Sequence, residues 1–146
     1  MKKIFSLLTA FVFSFVMFAP GFVLAADNAA LSTSQKLEKV EQMLYGNTQG
    51  GSLIQRMDTI ENDVYGIATD DPVLGRVTRM YDYLVGIPSN GEASFATKLN
   101  MVEWRLKESM SGDPARSRIE EAETMLNGTP STGAFAIRLE NFQHFS

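Results

Sequence analysis

The stretch SLIQRMDTIENDVYG, Ser52 to Gly66, decides the fold. Its apolar residues Leu53, Met57, Ile60 and Val64 are spaced four, three and four apart, which gathers them into one stripe of a helix. Ser52 and Gln55 have the S-x-x-Q spacing of a capping box, marking a helix start. Gly66 stands where a left-handed residue ends a helix.

The same reading recurs on both sides of this stretch. A basic residue followed by an aliphatic one occurs at Lys36-Leu37, Arg56-Met57, Arg76-Val77, Lys98-Leu99, Arg118-Ile119 and Arg138-Leu139, at intervals of 20, 20, 22, 20 and 20 residues. Four residues after the basic position come Val40, Ile60, Met80, Val102, Ala122 and Phe142. Eight after it come Leu44, Val64, Leu84, Leu106 and Leu126. Glycine closes most copies, at Gly46, Gly66, Gly86 and Gly128, each where a left-handed residue is expected to end a helix; the fourth has Glu108 there and delays its glycine to Gly112. Ser32 and Gln35 repeat the capping box. Asp71-Pro72 and Asp113-Pro114 suggest an N-cap acceptor before a proline at the first helical position.

The expected fold is therefore all-α: a tandem array of six short antiparallel helices, as a solenoid or a small bundle of α-hairpins. The expected spans are roughly 32–45, 52–65, 72–85, 92–110, 114–127 and 132–144. Helices this short are marginal alone, so packing against neighbours must stabilise them. The tetratricopeptide period of 34 residues and its signature are missing.

The chain before the array reads as an export signal. Lys2 and Lys3 precede an apolar run from Ile4 to Phe18, and Pro20-Gly21 and Val23-Leu24-Ala25 complete a signal-peptide pattern with cleavage expected after Ala25. An uncleaved anchor is the alternative, and in that case this segment alone would hold the protein to a membrane. The expected organisation is a signal peptide over 1–25, a linker over 26–31 and a repeat domain over 32–146, with a periplasmic or secreted location. No Cys follows the apolar run, which excludes a lipid-anchored lipoprotein.

Composition removes several functions. Cleavage takes away two lysines and leaves 11 basic against 17 acidic side chains, a poor balance for binding nucleic acid. With no Cys, neither disulfides nor thiolate metal sites are available. His144 is the single histidine, so one chain cannot assemble a histidine-based triad or metal site. Asp70-Asp71 lacks the alternating acidic loop of a calcium site. The Gly-, Ser- and Thr-rich loops lack a phosphate-binding lysine. No catalytic residue, cofactor or metal is expected.

Two features remain. Glu41, Glu61, Glu103 and Glu123 each lie 15 residues before a basic residue, pairing with Arg56, Arg76, Arg118 and Arg138 across a turn. They read as inter-helix ion pairs that set register, each worth about 0 to 1 kcal/mol if exposed. Tyr81 takes the place of the glutamate in the remaining turn, where no bridge is expected. Six residues after the basic start, Gln42, Asn62, Asp82 and Thr124 are polar, whereas the fourth copy has Trp104. Either Trp104 anchors a partner, or its helix packs on two sides. Trp104, Tyr45 and Tyr65 are the partner-binding candidates, though the tyrosines, just before the closing glycines, read first as covers for helix ends.

The unit R-[MI]-x-x-[IA]-E-x-x-[VL]-x-G, clearest in Gln55 to Gly66 and Arg118 to Gly128, resembles a repeat of secreted, mostly uncharacterised helical-repeat proteins of Gram-negative-staining Firmicutes. The resemblance implies an envelope location and brings no catalytic residues. The expected function is a non-catalytic interaction module of the cell envelope, with a protein or envelope component as partner. A structural spacer or homo-oligomerisation element is the alternative, and a cell-wall-active hydrolase a distant third.

Overall fold

A computed structural model describes residues 31–142. The signal-peptide segment, His144 and the last residues expected in the sixth helix lie outside the described residues. Six helices follow in order: α1 (Thr33–Tyr45), α2 (Leu53–Tyr65), α3 (Val73–Leu84), α4 (Phe95–Lys107), α5 (Ala115–Asn127) and α6 (Phe135–Asn141). No strand occurs among the described residues.

The residues after each basic position form the core. Leu37, Met57, Val77, Leu99, Ile119 and Leu139, one from each helix, are buried in a single cluster. Burial of one such side chain contributes about 1.5–3 kcal/mol. The stripe weakens late in the array: Val102 and Leu106 are half-buried, and Leu126 is exposed. There Val102, Arg105, Leu106, Leu126 and Phe142 line an open groove.

Packing departs from a simple succession of hairpins. α1 lies chiefly against α3, and α4 against α5, while α1 also meets α5 and α2 meets α6. These last contacts bring early and late helices together. Tyr81, standing where the repeat has glutamate, receives Lys36 of the first copy, whose ammonium lies 5.7 Å from the ring centroid. The same Lys36 donates to Thr78 Oγ1 at 3.3 Å. A cation with no preceding glutamate thus meets the copy that lacks one.

The ends of the helices explain their lengths. Ser32 and Ser52 both form complete capping boxes with Gln35 and Gln55. Gly46, Gly66 and Gly128 take left-handed conformations and close α1, α2 and α5. Three expectations are corrected. Asp71 and Asp113 do not cap: Pro72 and Pro114 occupy the N-cap positions with no side-chain hydrogen bond. The Asp71 carboxylate instead meets Arg79 at 2.6 Å, and Asp113 accepts from Ser111 Oγ at 2.8 Å. Gly86 is not left-handed; α3 ends with the Val85 and Gly86 amides both donating to the Tyr81 carbonyl. A Cβ on Gly86 would come within 3.0 Å of Asp82 Cα, so close approach accounts for this glycine. Helix α4 is shorter than expected at both ends. Ser94 caps it by accepting from the Thr97 amide, and Glu108 ends it at φ 54°, a conformation unfavourable for any residue with a Cβ.

Candidate functional site

Four of the five turns are closed by one device, a clasp of three groups. Arg56 Nε and Nη2 donate to the two Glu41 oxygens at 2.8 and 2.6 Å, and the Gln49 amide donates to the same carboxylate at 3.2 Å. Arg76 donates to Glu61 at 3.2 and 2.9 Å, joined by the Thr69 amide at 2.8 Å. Arg138 donates to Glu123 at 3.0 and 2.8 Å, with the Ser131 amide at 2.7 Å. The Glu103 clasp is looser: Arg118 Nη2 donates at 2.7 Å and the Ser111 amide at 3.0 Å, while Arg118 Nε finds no acceptor among the described residues. The backbone donor, eight residues after each glutamate, has no side-chain signature and could not be read from the sequence.

These pairs are buried, which corrects the estimate made for exposed ones. Glu41 and Glu103 are fully buried, and Glu61, Arg76, Arg118, Glu123 and Arg138 nearly so; Arg56 is the most open of them, its side chain 16% exposed. Burial alone would push the Glu103 and Glu123 carboxyls up. The hydrogen bonds from Arg118 and the Ser111 amide, and from Arg138 and the Ser131 amide, outweigh it and hold both below the usual range. The hydrogen bond to Glu61 likewise raises Arg76 above its ordinary value. Each carboxylate is thus committed to its clasp, an arrangement that holds loops.

The remaining turn, residues 85–94 between α3 and α4, has no clasp. It is ten residues long where the others are seven, and among the described residues Lys98 reaches only the exposed Glu92, at 3.5 Å.

Trp104 lies on the surface, 57% exposed, with Met101 and Met110 similarly open. The three line a shallow apolar cleft of about 310 Å³ with Thr97, Asn100 and Arg105. Trp104 therefore is not the second packing face of α4. The register that points Gln42, Asn62 and Thr124 to solvent points the indole there too.

Tyr45 and Tyr65 sit in different surroundings. Tyr45 Oη donates to Asp63 at 2.8 Å, Arg116 donates to the same oxygen at 2.8 Å, and the guanidinium lies 5.4 Å from the centroids of both Tyr45 and Phe135. Burial and then the Asp63 hydrogen bond push the Tyr45 phenol well up. Tyr45, Asp63 and Arg116 line an open cleft of about 330 Å³ with Asn47, Gln49 and Ser117. Tyr65 rests against Tyr83, centroids 5.3 Å apart, and burial raises it to about 12.

Among the described residues no helix is long and apolar enough to cross a membrane, and no cluster of three His, Asp or Glu could hold a metal ion. Compared with known proteins, the chain matches no family, no curated protein and no solved structure.

Proposed function

We propose that this protein is a non-catalytic, exported interaction module of the cell envelope, and that it meets its partner through the outer face of α4. The observation that carries this reading is the exposure of Trp104 beside Met101 and Met110. Tryptophan supplies much of the binding energy at interfaces, and methionine adapts its shape to an apolar partner. The rest of the molecule serves as a frame, with its acidic side chains of regular spacing bound up in clasps. The spacer reading draws less support, since one chain buries most of its stripe residues in its own core, Leu126 being the exposed exception.

The test is a paired pull-down from the native envelope with the mature protein and its Trp104→Ala, Met101→Ala variant as baits. A partner retained by the first bait and lost by the second is the expected result. Equal retention by both baits contradicts the assignment of the α4 face. Light scattering showing an obligate oligomer in isolation would favour the spacer.

A further inference from the structure

The sequence contains two Asn-Gly pairs, Asn90-Gly91 and Asn127-Gly128. Asn-Gly is the pair most prone to succinimide formation, because glycine leaves the attacking backbone nitrogen unshielded. We propose that Asn90 is a site of spontaneous deamidation in the folded protein and that Asn127 is protected from it. Both asparagines are exposed, so accessibility does not separate them. Their backbones do.

Asn90 lies in the turn without a clasp. Its Oδ1 accepts the Glu92 amide at 3.1 Å. This bond folds the carboxamide back over the Gly91 peptide and polarises the carbonyl to be attacked. No atom lies within 4 Å of where a Cβ would stand on Gly91 or on Gly128, so crowding at the glycine does not separate the two sites either. One turn hydrogen bond, from the Gly91 amide to the Pro88 carbonyl at 3.1 Å, must open first. Exposed turns with few buried contacts open at little cost.

Asn127 is the last residue of α5. The Gly128 amide completes the helix by donating to the Thr124 carbonyl at 2.9 Å. The turn beyond it is clasped by Glu123, the Ser131 amide and Arg138. Turning the Gly128 nitrogen toward the Asn127 carboxamide would unwind the end of α5.

In the reaction the Gly91 nitrogen attacks Asn90 Cγ. The N–Cγ bond forms, the Cγ–Nδ2 bond breaks, and ammonia leaves with the proton from the Gly91 amide. Water then opens the ring at either carbonyl, giving aspartate or isoaspartate. The turn gains a carboxylate near the Glu92–Lys98 pair, and isoaspartate also lengthens its backbone by one carbon.

The test incubates the mature protein in mildly alkaline buffer, native and in urea, and follows both sites by peptide mapping. In the native protein the Asn90 peptide should convert to two acidic products while the Asn127 peptide stays intact. In urea both should convert at similar rates. Native Asn127 converting as fast as Asn90 would overturn the proposal, as would native Asn90 staying intact while it converts in urea. Asn90→Gln should abolish the native acidic species, and its persistence in that variant would also overturn the assignment.

Discussion

Replacing Glu61 with Ala tests what the buried clasps contribute. In the folded protein Glu61 takes two hydrogen bonds from Arg76 and one from the Thr69 amide, with both charged side chains almost fully buried. Removing the carboxylate leaves a buried guanidinium whose remaining ionic partner, Asp58, is 42% exposed. Breaking a buried pair from one side costs about 3–5 kcal/mol. Asp58 compensates part of that loss, which places the expected cost near the lower end, about 3 kcal/mol. An exposed pair is worth at most about 1 kcal/mol, so Asp71→Asn, which breaks the exposed contact with Arg79, is the internal control. Urea unfolding followed by circular dichroism measures both. The double variant Glu61→Leu, Arg76→Met, which removes both charges and keeps the bulk, should recover most of the loss. A Glu61→Ala protein within about 1 kcal/mol of the wild type would refute the reasoning, because a clasp that cheap behaves as a solvated pair.

Three further outcomes are expected. Glu103 and Glu123 are held below their ordinary 4.5, so their contribution is complete above that pH and drains away as the pH falls through the lower folded values; melting temperature against pH should be flat near neutrality and fall below 4.5. Glu108→Gly relieves a left-handed residue that carries a Cβ and should stabilise the protein by about 1 kcal/mol in the same urea assay. Ser52→Ala removes the acceptor of the α2 capping box and should cost about 1 kcal/mol in thermal unfolding.

Much of this architecture was legible because a repeat displays its rules several times. The 4-3-4 spacing in Leu53 to Val64 and its copies marked the buried stripe. The constant offset from Glu41 to Arg56, repeated three times more, brought out partners that a single copy could not reveal. Burial of those pairs was not legible, since a glutamate beside an apolar stripe looks the same whether its turn leaves it in water or folds over it. The amides of Gln49, Thr69, Ser111 and Ser131 decide that, and any residue type supplies an amide. Nor could the stripes say which helix each would choose. Apolar faces are interchangeable partners, and the preference of α1 for α3 shows only in contacts such as Lys36 with Thr78 and Tyr81. The Asp-Pro steps misled because Pro72 and Pro114 kept extended backbone and became the caps themselves. Trp104 stood out by breaking a polar column, and that break was visible in sequence; its exposure needed the fold.

The central functional claim rests on that one indole, and Trp104 is the only tryptophan in the chain, so its fluorescence reports on the α4 face alone. The measurement is iodide quenching of the mature protein, free and then saturated with the partner recovered from the envelope. The account predicts a readily quenched, red-shifted emission in the free protein, and a blue shift with loss of quenching in the complex. A complex in which Trp104 stays as quenchable as in the free protein would contradict it.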